Sequence, residues 1–285
     1  MYKKRKSIFK GIREAQELFH NQEFTRAFNL LGDIEKSTQN IHLKSKIANL
    51  RAQCLFQVGN IRAIIEYVEG LLTTYPLSGQ MTFLAAIVYR KLGEHVKASR
   101  LYLRCVCLYP ENTQYALAYA QFLKESNRLL ESNRIIFKSL KKNRRKGKSP
   151  DSGLYFLYLE LALNYHQLNH FSRALILFNY CAKKIKNFPF YDLIAEIYLK
   201  KNQYKKAFKN IILHIDNWGE GDPDALFIYA KTLVSLNRKK EALKQLQKCS
   251  QIWGEVVIKP EDMTHLFPLL QDGSLKEIHN LFIEL

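Results

Sequence analysis

Residues 44–76 read KSKIANLRAQCLFQVGNIRAIIEYVEGLLTTYP, and residues 93–110 read GEHVKASRLYLRCVCLYP. Pro76 and Pro110 stand 34 residues apart, as do Gly59 and Gly93. Self-similarity at such a period marks a chain built from helical pairs, none of which can bury its apolar face alone. Setting the whole sequence on this period gives seven units starting at residues 8, 45, 79, 113, 155, 188 and 223, and the columns become chemically uniform. The eighth position is Ala15, Ala52, Ala86, Ala120, Ala162, Ala195 and Ala230, although only 19 of the 285 residues are alanine. Seven of seven cannot come from composition.

The twentieth position is Ala27, Ile64, Ala98, Ser132, Ala174, Ala207 and Ala242, and small residues in these two columns let paired helices approach closely. Bulky side chains fill position eleven (Leu18, Leu55, Tyr89, Leu123, Tyr165, Tyr198, Leu233) and position twenty-four (Leu31, Val68, Tyr102, Ile136, Phe178, Ile211, Leu246), where they form the ridges that pack on the next hairpin. Position fifteen is Gln22, Gly59, Gly93, Asn127, Asn169, Asn202 and Asn237. Six of these seven tolerate the left-handed conformation that ends a helix, so the first helix of each unit is predicted to stop there.

These residues, spanning about 8–256, resemble the tetratricopeptide-repeat family. The resemblance implies an all-α solenoid of stacked antiparallel hairpins, a right-handed superhelix whose concave face is lined by the first helix of every repeat. Departures are visible too: the proline that closes a repeat stands only at Pro76 and Pro110, replaced elsewhere by Gln39, Arg144, Lys186, Gly219 and Gly254. The expected organisation is a basic N-terminal segment 1–7, repeats one to four over 8–140, a basic flexible loop at 141–153, repeats five to seven over 154–256, and a C-terminal helical cap at 257–285. The loop is read from SLKKNRRKGKSPDSG, whose Gly, Pro and charges interrupt amphipathic periodicity. The cap carries Leu266, Phe267, Leu269 and Leu270, fit to cover an exposed solenoid end.

With 47% hydrophobic and 25% charged residues the chain is a folding one, and its 12 Gly and 7 Pro leave few of the turns a sheet fold requires. Its net charge of +18 favours an anionic partner. The charge is asymmetric, because 257–285 has two basic against five acidic residues, leaving +21 on the rest. The start is basic but lacks the apolar run of a secretory signal, and no 18-residue apolar stretch occurs. A soluble, cytoplasmic protein without membrane insertion is expected. Five scattered cysteines without C-x-x-C spacing argue for a reducing compartment, and Cys105, Cys181 and Cys249 share position twenty-seven, where the repeat needs a small apolar residue.

No Gly-rich phosphate loop, H-E-x-x-H or G-x-S-x-G motif is present, so neither an enzymatic activity nor a cofactor is expected. His166 and His170 in HQLNH have metal-pair spacing, but the predicted helix end at Asn169 separates them and no third ligand is identifiable.

The resemblance directs attention to the concave positions. Position nine carries Gln16, Gln53 and Gln121, and neighbouring positions add Lys46, Asn49, Gln57, Gln80, Arg90, Gln114 and Lys124. An amide both donates and accepts, so a row of amides can bond the backbone of an extended peptide without reading its sequence; glutamine is also simply a good residue for a solvated helix face. In repeats five to seven the face turns mixed, with Glu160, Asp192, Glu196 and Asp224. Basic runs stand at Lys3, Lys4, Arg5, Lys6, Lys10 and Arg13, and at Lys138, Lys141, Lys142, Arg144, Arg145, Lys146 and Lys148; they form candidate anion-binding segments. The leading expectation is a scaffold holding another protein or an acidic peptide in its groove. The alternatives are a nucleic-acid-associated repeat protein using the basic runs, and a chaperone or co-regulator of one partner.

Overall fold

A computed structural model describes residues 2–145 and 152–253. Fourteen α-helices and no strands make up the described residues: α1 (Tyr2–His20), α2 (Phe24–Ser37), α3 (Ile41–Val58), α4 (Ile61–Thr74), α5 (Gly79–Lys91), α6 (His95–Leu108), α7 (Thr113–Glu125), α8 (Leu129–Arg145), α9 (Ser152–Gln167), α10 (Phe171–Ala182), α11 (Tyr191–Lys200), α12 (Tyr204–Trp218), α13 (Pro223–Ser235) and α14 (Lys239–Trp253). They pair as seven consecutive hairpins in the predicted register, an all-α solenoid arrangement.

The turn of every hairpin is fixed by one residue. Gln22, Gly59, Gly93, Asn127, Asn169, Asn202 and Asn237 all have positive φ, between 56° and 77°. In six repeats the next residue's N–H then donates to the carbonyl of position eleven, as in Glu94 N to Tyr89 O at 2.9 Å and Arg128 N to Leu123 O at 2.8 Å. This is the Schellman closure, which satisfies a carbonyl the helix end would leave open. In repeat two, Gly59 N–H is instead shared between the carbonyls of Leu55 and Phe56. First helices start on side-chain caps where the sequence supplies them: Asn40, Ser78, Asn112 and Asp222 each accept from a backbone N–H two or three residues on.

The chain divides into two compact units, residues 1–160 and 161–285, with the boundary inside α9. In the first unit, Ala15, Ala27, Leu31 and Ile47 join α1 to α3, and a larger core around Ala52, Ile64, Ala86, Tyr89, Ala98 and Tyr102 runs from α3 to α7. The second unit has one cluster of Ala195, Ala207, Ile211 and Ala225 and another of Ala230, Leu233, Ala242 and Leu246. All seven position-eight alanines are at most 2% exposed, so a single methyl is what that column accommodates; the position-twenty residues, Ile64 and Ser132 among them, are equally buried. The position-twenty-four ridge is buried throughout, and each such side chain contributes about 1.5–3 kcal/mol.

Helix ends differ from the expected organisation in two places. The loop expected at 141–153 is too long at both ends, because α8 continues through Arg145 and α9 already includes Ser152 and Gly153. Lys and Arg are good helix formers, and the buried Asn143 amide ties this end down by donating to Ser139 O at 3.1 Å and Glu111 O at 3.2 Å. Residues 1–7 are likewise no separate extension, since α1 begins at Tyr2. The cap expected at 257–285 lies outside the described residues.

Candidate functional site

The first helices of the repeats carry the candidate residues, and their surroundings change along the chain. In repeats one and two, Gln16, Lys46, Asn49, Gln53 and Gln57 are exposed. Gln16 on α1 and Gln53 on α3 border one cavity of about 190 Å³, whose other walls include Ala15, Phe19, Leu31, Leu50 and Cys54. Amides and the His20 imidazole thus border a recess whose remaining walls are apolar side chains and Cys54. This juxtaposition follows from the register, which places position nine of neighbouring repeats side by side above the position-twenty-four ridge.

From repeat three onward much of the same face is occupied by its own contacts. Ile87, Gln121, Leu163, Glu196 and Lys231, the later members of position nine, are all half-buried. Gln80 bonds His42 Nδ1 at 2.7 Å, and Gln114 is exposed. Arg90 is ion-paired with Glu125 of the next repeat. Lys124 Nζ lies 2.5 Å from Glu160 Oε1, whose side chain is 5% exposed. His166 Nε2 contacts Glu196 Oε2 at 3.1 Å, and Lys200 contacts the other oxygen at 2.7 Å. Burial alone would raise the Glu196 pKa, but the hydrogen bonds and charges of His166 and Lys200 override it and hold the carboxyl at about 2. Arg90, Lys124 and His166 all occupy position twelve, and each reaches an acid on the first helix of the following repeat.

Arg90 and Lys124, predicted as ligand-facing, therefore tie repeats together. The sequence reading missed this ladder; a search for opposite charges about one period apart would have found it. It also missed Arg51, whose guanidinium stacks 4.2 Å from the Phe28 ring and 4.8 Å from Tyr67 while contacting Glu35 Oε2 at 2.6 Å. In the second unit, His214 is 4% exposed, with Nδ1 3.4 Å from Asp192 Oδ1 and Nε2 3.4 Å from Asp222 Oδ2. Burial pulls its pKa down, but the two carboxylates prevail and the net shift is upward.

Of the candidate anion-binding residues, Lys138, Lys141, Lys142 and Arg144 are exposed on α8, and Arg145 closes the helix; Lys146 and Lys148 lie outside the described residues. α9 ends at Gln167, so His166 and His170 belong to different elements, and His166 is engaged by Glu196. Among the described residues no group of three His, Cys, Asp or Glu is placed to hold a metal ion, and no helix is long and apolar enough to cross a membrane. Cys105, Cys181 and Cys249 are buried, as packing at position twenty-seven requires.

No family model matches the chain, and no curated protein matches it. Solved structures do. PilW, a widely conserved type IV pilus biogenesis factor, is 18% identical, with a TM-score of 0.60 over 78% of this chain and 98% of PilW. The C-terminal part of a TPR repeat-containing protein from Cytophaga hutchinsonii gives 14% identity and a TM-score of 0.61, over 90% of this chain and 99% of that one. YrrB, a TPR protein with an unusual peptide-binding site, gives 14% and 0.53, over 70% and 96%. At these identities the likeness is one of fold: the chain adopts the tetratricopeptide-repeat fold.

Proposed function

We propose that the chain is a non-catalytic, cytoplasmic interaction scaffold that holds an extended, acidic peptide segment of a partner protein on the first helices of repeats one and two. The observation that carries this reading is the placement of the Gln16 and Gln53 amides beside one apolar recess. The amides suit a peptide backbone, and the recess has room for one large apolar side chain of it. Charge supports an acidic partner, since Lys46 on α3 is exposed and α3 itself carries no acid. YrrB, a TPR protein with an unusual peptide-binding site, lends support by analogy of fold.

Gln16, Gln53 and Gln121 changed together to Ala should weaken a captured partner's binding while helicity is kept, each lost contact counting for roughly 0.5–1.5 kcal/mol. Gln121 is half-buried, so most of the loss should come from the other two. If instead neutralising Lys141, Lys142, Arg144 and Arg145 abolishes retention, and nuclease does the same, the partner is a nucleic acid and the groove reading fails.

A further inference from the structure

The outward face of the second helices in repeats three and four bears a pattern the groove does not use. On α6, Val96, Arg100, Leu103 and Cys107 recur at i, i+4, i+7 and i+11, which places them on one helical face. On α8, Leu130, Arg134, Phe137 and Lys141 repeat that spacing 34 residues later. All eight are exposed. Val96 is 66%, Leu103 45%, Leu130 64% and Phe137 49% exposed, values unusual for four large apolar residues in matched register. A single exposed leucine means nothing; the same apolar stripe recurring on the outward face of successive second helices is a pattern. Beside them opens a cleft of about 570 Å³ between the start of α6 and the α7–α8 turn, lined by Val96, Arg100, Phe122 and Arg128.

We propose that this face is a second docking surface, and that its occupant is an acidic amphipathic helix of another protein. Charge complementarity selects the occupant. α6 has Lys97, Arg100 and Arg104 and no acid. Of the acids nearby, Glu131 is neutralised by Arg128 at 2.7 and 2.8 Å and Glu125 by Arg90, while Glu94 stands at the first end of α6, away from Arg100 and Arg104. An incoming helix with apolar residues at i, i+3, i+4 and i+7 would bury Val96, Leu103, Leu130 and Phe137, and carboxylates on its flanks would meet Arg100 and Arg134 in paired hydrogen bonds. A nucleic acid would satisfy the cations and leave the aliphatic residues in water. A flat anionic bilayer would leave the cleft unfilled. The surface is separate from the groove row, so its test is independent of the groove reading.

A phage-displayed library of helical peptides selected against the full chain supplies the probe. Enriched peptides should carry Glu or Asp flanking an apolar stripe, and their binding should shield Cys107, the one exposed cysteine of the five, from iodoacetamide. Leu103→Ser with Phe137→Ser should cut their affinity about tenfold or more, and Arg100→Glu with Arg134→Glu should do the same. The Arg100 and Arg134 changes touch exposed residues and should leave the thermal midpoint in place, the Leu103 and Phe137 changes, at residues 45% and 49% exposed, should lower it slightly, and Gln16→Ala with Gln53→Ala should leave this binding unchanged. The proposal is overturned by failure to enrich acidic amphipathic sequences or by affinity indifferent to the Leu103 and Phe137 changes. Protection of Cys107 by polyuridine or by phosphatidylserine vesicles in preference to the peptides would also overturn it.

Discussion

Repeats one and two differ from repeats three to five in how they use the first-helix face. In the first pair, position nine presents Gln16 and Gln53 to solvent. In the later ones, position twelve supplies Arg90, Lys124 and His166, each held by an acid of the next repeat. The backbone register is identical in both, down to the left-handed turn residue. The difference teaches that a helical-hairpin frame fixes where side chains stand and leaves their use open: position nine is exposed at Gln16 and Gln53 and is bound by the preceding repeat at Glu196.

The sharpest way to break this comparison is to remove a partner in the closed region and its counterpart in the open one. Glu160→Ala strands Lys124 in a largely buried site and should cost about 3 kcal/mol in chemical denaturation. Gln53→Ala should cost almost nothing. Equal losses would mean that the two regions are not distinct.

Overpacking should show what they share. Ala52→Leu and Ala86→Leu insert bulk at the same crossing in the open and closed regions, and each should lose about 1–3 kcal/mol. An unchanged thermal midpoint in either would contradict the register.

Titration separates the halves next. Glu196 has a depressed folded pKa of about 2, so its stabilisation is complete above the ordinary carboxylate range and is lost as pH falls from about 4.5 towards 2. His214 has a raised folded pKa, so its contribution is complete below 6.5 and is lost as pH rises through the folded value. Hydrogen exchange in α12 and α13 should accordingly quicken between mildly acid and alkaline pH, relative to α3 and α5, and His214→Gln should remove that difference.

The smallest effect belongs to Gln22, the one turn residue that is neither Gly nor Asn and that nevertheless adopts φ of 64°. Gln22→Gly should stabilise repeat one by about 0.5 kcal/mol, the relief of a left-handed residue less the added freedom of glycine in the unfolded chain. A thermal scan would register this as a slight rise.

The fold was legible because its constraints act within columns. A crossing that admits only a methyl, or a turn that needs positive φ, imposes the same demand on every repeat, and the alanine and asparagine columns display it. Gln22 shows the strength of that demand, since the turn forms there without the favoured residue. The site was only half legible. Cation–acid pairs between repeats join residues from 30 to 36 positions apart, so no single column reveals them, and Arg90 and Lys124 looked like ligand contacts. The end of α8 was misjudged because charge was read as a loop signal, while Asn143 anchors that turn through the carbonyls of Glu111 and Ser139. Arg51 was missed because its stacking partners, Phe28 and Tyr67, come from two different repeats.

The position-twenty-seven cysteines have a use beyond packing. Burial pushes the Cys105 thiol to about 12 and those of Cys181 and Cys249 to about 11, and only a thiolate is readily alkylated. Each is therefore silent while its hairpin is closed and reacts only when that hairpin opens. Three clocks thus stand at repeats three, five and seven, and the order in which mass spectrometry sees them modified reads out how unfolding travels along an array whose units are joined only to their neighbours.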